Sequence, residues 1–339
     1  MTLKTSIEKL MRKENLDRLT CQDAVNEILD ADANSLQIAA FLVLLRSKTE
    51  TPEELAGMIA GLKQRMIPVS TKHKVMDIVG TGGDGAGTVN ISTGSAILAA
   101  SCGVKIAKHG NRAATSLAGS ADVLEAFGIE INLTPKQVSA SIDEIGIGFC
   151  FYPNFHPAIC QLGALRKQLN VPTTFNILGS LLNPANPAHF LLGVFDESLL
   201  RLMAEALQKS GTERSIIVHG CGLDEISCLG PAKVVEVTQM NIKESIIDPE
   251  QLGFSLCTLA DLRGGNAKTN AQLLLNVFSG ENSSKSRAIA DTLILNAAMA
   301  LYLYGLHPSL SDAIDHAKNN LHEGSALKLL NKWKEFSHD

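Results

Sequence analysis

The sequence predicts an α/β protein with a small helical N-terminal domain followed by a larger α/β domain that has a central sheet. Two observations support this fold class. Residues 1–70 contain only helical patterns, and from Val75 onward short β-rich runs alternate with amphipathic helical stretches. Such alternation is typical of α/β domains. A chain of 339 residues is long enough for two domains, and we place them at residues 1–70 and 71–339.

The N-terminal domain is predicted to be helical throughout. TSIEKLM has Thr5 and Glu8 at the spacing of a capping box. TPEELAGMIAGLKQRM begins with Thr51 as cap, Pro52 in the first turn and Glu54 as capping-box partner. Between them, SLQIAAFLVLLRS is apolar nearly all round, as in a helix that is buried against a partner. That partner is either the rest of the helical domain or a second copy of the chain.

The larger domain is predicted from strands and helices that alternate along the chain. The predicted strands are VMDIV, VKIA, FCFY, FLLGVF, SIIVHG and KVVEVT. The predicted helices are SADVLEAFG, TPKQVSASIDEIG, HPAICQLGALRKQL, DESLLRLMAEALQKSG and SRAIADTLILNAAMALYLYG. The C-terminal stretch from DAIDHAKNN to ALKLLNKWKEF is predicted to form one or two closing helices.

Charge and cysteine content exclude several classes of function. The net charge is −5, which argues against a general nucleic-acid or membrane-surface role. The 7 cysteines form no C-x-x-C pair, so a disulfide framework or a structural zinc site is not expected. The N-terminus is too charged for a signal peptide, and the chain has no apolar run long enough to span a membrane. These features predict a cytoplasmic protein.

A glycine-rich loop, GTGGDGAG, follows the first predicted strand, and Gly80, Gly82 and Gly85 form a literal G-x-G-x-x-G. A dinucleotide-binding turn opens a helix at its third glycine and has an acidic residue about 20 positions further on. Here the helix is predicted to start only near Ser92, and the next strand, VKIA, ends at Lys108. The pattern therefore argues against dinucleotide binding.

The same loop has the properties of a different phosphate site. Glycines allow consecutive backbone N–H groups to converge on phosphate oxygens. Asn90, Ser92 and Thr93 add donors at the start of the following helix. Asp84 in the loop suits a ligand with hydroxyls, an amine or a metal ion, and a phosphorylated sugar that carries Mg²⁺ meets these demands. The alternative is a flexible loop with helix caps.

Two later stretches carry further polar clusters. The first, KHGNRAATSLAGS, contains a dense set of donors typical of phosphate sites: Lys108, His109, Arg112, Thr115, Ser116 and Ser120. The second, HGCGLDEIS, places Asp224 and Glu225 directly after a predicted strand. Carboxylates are ligands for hard cations such as Mg²⁺, although an isolated acidic pair is also common on solvated surfaces.

In this order and spacing, these stretches resemble the anthranilate phosphoribosyltransferase family, whose fold is shared with pyrimidine nucleoside phosphorylases. The resemblance also includes FYPNFHPAI, GALRKQL, TFNILGSLLNPA and LILNAAMALYLYG, so it covers nearly the whole chain. It implies a nucleoside phosphorylase-like fold in which residues 165–190 also contribute to the helical domain. It further implies that phosphoribosyl pyrophosphate (PRPP) binds between the domains of a homodimer.

The family's site positions can be transferred to this sequence by motif. Those for PRPP are Gly80, Gly83, Asp84, Thr88, Asn90, Ile91, Ser92, Thr93, Lys108, His109, Gly110, Asn111, Arg112, Ala113, Ala114, Thr115, Ser116 and Ser120. Those for anthranilate are Gly80, Asn111 and Arg166. Those for magnesium, of which two ions are expected, are Ser92, Asp224 and Glu225.

The sequence also departs from the family pattern, mostly near the position of the aromatic substrate. The departures are Thr115, Leu117, Ala118, Ile159, Cys160, Gln161, Ala164, Ser180 and Leu182. The metal positions and Arg166 are retained, so the resemblance implies the chemistry more strongly than the choice of aminobenzoate.

The implied reaction joins the amino nitrogen of anthranilate to C1 of the ribose and releases pyrophosphate, a step in tryptophan biosynthesis. An aromatic amine is neutral at pH 7, so we assign no catalytic base; His109 is either a proton relay or a structural hydrogen-bonding residue. Mg²⁺ would neutralise charge that develops on pyrophosphate. The alternatives are a pyrimidine nucleoside phosphorylase-like enzyme and a catalytically inactive relative that binds nucleic acid. The acidic net charge argues against the latter.

Overall fold

Four helices form the N-terminal part of the computed structural model, which describes residues 2–30, 33–113 and 116–339. They are α1 (Leu3–Met11), α2 (Arg18–Ile28), α3 (Ser35–Lys48) and α4 (Pro52–Gln64). The predicted capping box of α4 is present. The box predicted at Thr5 is wrong: α1 begins earlier, because Thr2 is its cap and the Thr2 hydroxyl accepts from the Thr5 N–H at 3.3 Å.

The sheet of the larger domain has 7 strands in the order β3-β2-β1-β4-β5-β6-β7. The strands are β1 (Met76–Gly80), β2 (Ile106–Gly110), β3 (Ile147–Phe151), β4 (His189–Gly193), β5 (Arg214–Gly220), β6 (Ala232–Thr238) and β7 (Ile242–Ile247). Strands β1 to β5 are parallel, whereas β6 and β7 are antiparallel to their neighbours. The predicted fold class is confirmed. Of the 7 strands in this sheet, β7 was not predicted; it is an exposed edge strand.

Helices pack on both faces of this sheet. They are α5 (Ile91–Ser101), α6 (Ser120–Phe127), α7 (Pro135–Glu144), α8 (Tyr152–Phe155), α9 (Pro157–Gln161), α10 (Gly163–Leu169), α11 (Phe175–Leu178), α12 (Leu199–Lys209), α13 (Leu259–Leu262), α14 (Ala267–Phe278), α15 (Ser284–Tyr304), α16 (Leu310–His322) and α17 (Ser325–Phe336). Helices α8, α11, α13 and α14 were not predicted. HPAICQLGALRKQL forms two short helices instead of one, with the break at Leu162 and Gly163. Across the described ranges, the structure has no helix that is long and apolar enough to cross a membrane.

Alternate residues of the central strands belong to two different hydrophobic cores. Leu191 faces the core formed with α5, α14, α15 and the C-terminal helices. Phe190 and Leu192 face the core that also contains Phe41 and Leu45 of α3. The helical N-terminal domain therefore shares one continuous apolar core with a face of the sheet. The boundary near residue 70 stays a prediction.

Candidate active site

Three segments that the sequence analysis singled out meet at the carboxyl ends of the parallel strands. Gly80 at the end of β1 lies beside Gly193 at the end of β4. Asp224, in the loop after β5, lies across both strand ends, and its Oδ2 accepts a hydrogen bond from the Gly82 N–H at 2.7 Å. A Cβ atom on Gly80 would collide with the Asp224 carboxylate, and one on Gly193 would collide with the Asp224 carbonyl. Glycine at these two strand ends is therefore what makes room for Asp224.

The glycine loop itself depends on left-handed backbone. Gly82, Gly83, Gly85 and Gly87 have φ values of 67°, 90°, 68° and 65°. Such angles are strained for other residues. Asp84 accepts from the Ala86 N–H at 3.1 Å, which stabilises the turn. Helix α5 starts at Ile91, close to its predicted start.

Three carboxylates cluster at this loop. Burial, followed by the negative charge of Asp84, raises the pKa of Asp224 to about 6. Burial, followed by the charge of Asp224, raises the pKa of Glu225 well above its ordinary value, although Lys108 and the Ser92 N–H oppose this shift. Raised pKa values mark a site with too much negative charge for its surroundings, which a divalent cation relieves.

The oxygen ligands available here suit Mg²⁺ better than a metal ion whose ligands all come from the protein. Within residues 2–30, 33–113 and 116–339, no group of three or more His, Cys, Asp or Glu side chains is arranged to hold a metal ion. Mg²⁺ characteristically binds through one or two carboxylates and completes its shell with water and substrate phosphates. Asp224, Glu225 and the hydroxyl of Ser92 supply oxygens of this kind.

Lys108 is the buried cation of the site. It is 1% exposed, and its Nζ donates to the Ile78 carbonyl at 2.8 Å and to the Ser92 hydroxyl at 3.4 Å. Burial lowers the pKa of Lys108, while the carboxylates of Asp77 and Glu225 oppose the shift. Its ammonium group is thus held against the first turn of α5, where phosphates would bind.

Asp77 is a buried carboxylate that sequence reasoning missed. It accepts hydrogen bonds from the His109 N–H at 3.2 Å and from Asn183 Nδ2 at 2.7 Å. Burial raises the pKa of Asp77 to about 6, although Lys108 and these bonds oppose the shift. A charged residue inside the apolar run VMDIV was the available signal, because a buried carboxylate requires partners.

An aromatic cluster lies next to Lys108. The His109 ring stacks on Tyr152 with centroids 5.4 Å apart, and the Nε2 atoms of His109 and His156 are 3.2 Å apart. Burial lowers the pKa of His156 to about 4 and that of His109 well below its ordinary value. Both rings are therefore neutral near pH 7, which favours the structural interpretation of His109 over a proton relay that carries charge.

Arg166 lies close to this cluster. Burial raises the pKa of Tyr152, and the positive charge of Arg166 opposes this shift. The Arg166 guanidinium lies 5.4 Å from the centroid of the Phe175 ring. Flat rings beside an arginine fork suit a planar aromatic carboxylate.

The basic loop after β2 is arranged differently from the phosphate receiver expected from its sequence. Arg112 forms ion pairs with Asp122 and Glu125 on α6 and lies 5.5 Å from the centroid of the Phe151 ring. Asp122 also accepts from the Ala113 N–H at 2.9 Å. In this conformation Arg112 is paired with α6. Ala114 and Thr115 lie outside the described residues.

The remaining predicted positions line the same region. Gly83, Thr88 and Asn90 belong to the glycine loop, and Asn111 and Ser116 are exposed in the basic loop. Ile91 and Thr93 have buried side chains, so only their backbone can face a ligand. Gly110 packs closely against Ser120. These assignments stay predictions.

Comparison with known proteins first defines the class. The model for the glycosyl transferase family α/β domain matches residues 72–327, and the model for the helical bundle domain of the same family matches residues 4–66. The fold and these matches define a pentosyl-transferring enzyme of this glycosyl transferase family.

The particular branch follows from whole-chain relatives. An anthranilate phosphoribosyltransferase of Chlamydia caviae is 46% identical over 99% of this chain and 96% of its own. The crystal structure of the Thermus thermophilus anthranilate phosphoribosyltransferase has a TM-score of 0.93 at 37% identity, covering 98% of this chain and 99% of that one. The Saccharomyces cerevisiae enzyme in complex with PRPP and Mg has a TM-score of 0.90 at 28% identity, covering 99% and 98%. The chain belongs to the anthranilate phosphoribosyltransferase family.

Proposed function

We propose that this protein transfers the phosphoribosyl group of PRPP to the amino nitrogen of anthranilate and releases pyrophosphate, as a step of tryptophan biosynthesis. The observation that carries the proposal is the meeting of three elements at one edge of the sheet. They are the glycine loop, the buried Lys108, and the Asp224–Glu225 pair. An aromatic cluster with an arginine lies beside them. A donor phosphate site and an aromatic acceptor site are thereby adjacent.

On the donor side, backbone supplies most of the phosphate contacts. The N–H groups of Gly83 and of the first turn of α5 bind phosphate oxygens, favoured by the positive end of the helix dipole. Lys108 adds a charge-assisted donor and keeps the Ser92 hydroxyl in place. Asp84 accepts from ribose hydroxyls or binds metal-bound water. Positioning of this kind lowers the barrier because the reacting carbon is held in one geometry.

Ser92, Asp224 and Glu225 would hold Mg²⁺, for which we propose two ions. When bound, Mg²⁺ neutralises charge on the departing pyrophosphate. The raised pKa values of Asp224 and Glu225 support this assignment.

On the acceptor side, Arg166 binds the carboxylate of anthranilate, and the rings of His109 and Tyr152 support the aromatic ring. The carboxylate is ortho to the amine, so holding the acid orients the nitrogen toward the ribose. Gly80 and Asn111 complete this subsite at the strand ends. Because the pKa of His109 is lowered, its ring is neutral and adds no positive charge near the C1 carbon of the ribose, which becomes cation-like during the transfer.

We further propose a cytoplasmic homodimer. The 7 cysteines are all free, as expected of a reducing compartment. Met11, Leu19 and Leu36 are 68%, 70% and 78% exposed on the helical domain. Several exposed apolar side chains on one small domain favour an interface there.

The test is an assay of the purified protein with PRPP, Mg²⁺ and anthranilate, following loss of anthranilate fluorescence and release of pyrophosphate. The matched control replaces the substrates with uridine and inorganic phosphate. Turnover of anthranilate that stops with EDTA and resumes with Mg²⁺ supports the proposal. Turnover of uridine alone would assign the protein to nucleoside phosphorolysis and overturn it.

A further inference from the structure

A buried amide outside the predicted site connects the segment before α14 with Asn90 and, through Asn90, with the basic loop. Asn270 on α14 is 2% exposed. Its Oδ1 accepts from the Gly265 N–H at 2.7 Å, and its Nδ2 donates to Oδ1 of Asn90 at 2.7 Å. Gly264 leaves space for this amide, because a Cβ atom there would collide with Asn270 Oδ1. Both polar atoms of the side chain are hydrogen-bonded, and one of the two partners, Asn90, is a predicted residue of the donor site.

The hydrogen bonds fix the orientation of both amides. A backbone N–H can only donate, so Asn270 must present its oxygen to Gly265 and its nitrogen to Asn90. Asn90 must then present its oxygen to Asn270, which leaves its nitrogen free to donate elsewhere. That nitrogen donates to the Ala118 carbonyl in the basic loop at 3.0 Å. The chain of bonds thus has one direction, from α14 through Asn90 to the basic loop.

The segment before α14 also holds the glycine loop. The Val89 N–H donates to the Leu262 carbonyl at 2.8 Å, and the Gly264 N–H donates to the Gly87 carbonyl at 2.9 Å. Thr88 and Arg263 form an antiparallel bridge between the two segments. The start of α14 is therefore bonded to the glycine loop directly and to the basic loop through Asn90.

We propose that Asn270 is a positioning residue for donor binding. It sets the orientation of the Asn90 amide and so fixes the spacing between the glycine loop and the basic loop that enclose the phosphates of PRPP. Asn270 itself touches no substrate. This inference rests on the proposed function, because it concerns the donor of that reaction.

The test uses Asn270→Asp. This variant keeps the size of the side chain and an oxygen that accepts from the Gly265 N–H, but its ionised carboxylate has no N–H to donate to Asn90 Oδ1. If Asn90 turns its amide to meet the new carboxylate, it no longer donates to Ala118. The link between the loops is lost in either case. We expect the KM for PRPP and the calorimetric Kd for PRPP with Mg²⁺ to rise by about three- to tenfold, the range expected for the loss of one neutral hydrogen bond that positions the loops. The KM for anthranilate should change less than about twofold.

Asn276→Asp is the matched control, because Asn276 lies on the same helix and, among the residues that the structure describes, its side chain accepts one bond, from Gln272. It should keep the wild-type KM for PRPP. Asn270→Ala, with far-UV circular dichroism to confirm folding, should match Asn270→Asp.

Each outcome of this experiment decides something. Wild-type affinity for PRPP in the folded Asn270→Asp variant overturns the positioning role alone. A parallel rise of both KM values would assign Asn270 a merely structural role and also overturn it. Failure of the wild-type chain to bind PRPP in the same titration overturns the proposed function, and the inference with it.

Discussion

At the scale of single residues, the site is organised by buried groups that hold other groups in place. Asp77 accepts from the backbone of His109 and from Asn183, and Asn183 Nδ2 also donates to the Ala107 carbonyl at 2.7 Å. One carboxylate thereby connects β1, β2 and the segment before β4. The relative position of these strand ends, and of the loops that follow them, therefore depends on a buried carboxylate.

In the proposed function Arg166 binds the carboxylate of the acceptor, so its removal should affect one substrate only. Arg166→Ala should raise the KM for anthranilate by about ten- to a hundredfold, which corresponds to a lost charge-assisted bond of roughly 1.5–3 kcal/mol, while the KM for PRPP stays nearly constant. Steady-state kinetics with each substrate varied in turn measures this. Lys167→Ala, which removes the exposed neighbouring charge, is the control. An unchanged KM for anthranilate would place the carboxylate elsewhere.

His156 should make stability depend on pH. Its pKa is lowered to about 4, whereas an unfolded histidine takes up a proton near pH 6.5. Between these values the unfolded chain binds more protons than the folded one, so stability is lost as the pH falls from about 6.5 toward 4.

His156→Phe keeps a flat ring in the cluster but does not titrate. We expect the loss of unfolding free energy on acidification to be about 2–3 kcal/mol smaller in this variant than in the wild type. Urea unfolding at intervals from pH 4.5 to 7 measures the difference. Parallel pH curves for the two proteins would show that His156 is not the group responsible.

At the scale of elements, the glycine loop and the strand ends form a tightly packed unit. Gly80→Ala should force the Asp224 carboxylate out of position, because the new methyl group occupies its place. We expect a loss of PRPP binding of at least about tenfold, measured by calorimetry in Mg²⁺. Gly163→Ala is the control, since a Cβ there meets nothing within 4 Å. Equal PRPP affinity in all three proteins would mean that Asp224 plays no part in donor binding.

The elements that the sequence predicted best have strong local signals. The cap and capping box at Thr51 and the apolar runs of β1 to β6 are local, and the structure confirms them. Strand β7 was missed because NIKESII is mostly exposed and lacks an apolar face. The predicted single helix after His156 breaks at Leu162 and Gly163, where a glycine lowers the helix propensity that the apolar periodicity does not take into account.

Within the candidate site, sequence motifs identified the residues of the loops, but they did not identify the buried residues that hold those loops in place. Asp77, His156 and Asn270 act through partners distant in sequence, such as Asn183, His109 and Asn90. No spacing rule predicts such long-range pairs. The ion pairs of Arg112 with α6 depend likewise on how two elements pack.

At the scale of the whole molecule, the shared core joins the helical domain to the sheet. Phe41 on α3 is 0% exposed and belongs to the same core as Leu192 and Ile217 of the sheet. The sole tryptophan, Trp333, lies in the core on the opposite face of the sheet. A helical domain with no separate core should unfold together with the sheet.

Trp333 fluorescence should therefore report damage in the helical domain. Phe41→Ala should destabilise the protein by about 3–5 kcal/mol and lower the denaturant midpoint of the Trp333 transition. Ser47→Ala, an exposed position on the same helix outside the proposed interface, should stay within about 0.5 kcal/mol of the wild type. A Trp333 midpoint that is unchanged in Phe41→Ala would show that the two domains unfold independently.

The positive φ angles of the glycine loop have a consequence for how this protein can diverge. Gly82, Gly83, Gly85 and Gly87 tolerate no side chain without strain. Every residue from Pro157 to Leu169 has negative φ, so the acceptor helices carry ordinary side chains that can be exchanged. Under the proposed function, donor recognition is therefore fixed by backbone shape, whereas acceptor recognition can change one substitution at a time. A library randomised only over 157–165 should yield altered aminobenzoate preferences in proteins that still use the same phosphoribosyl donor.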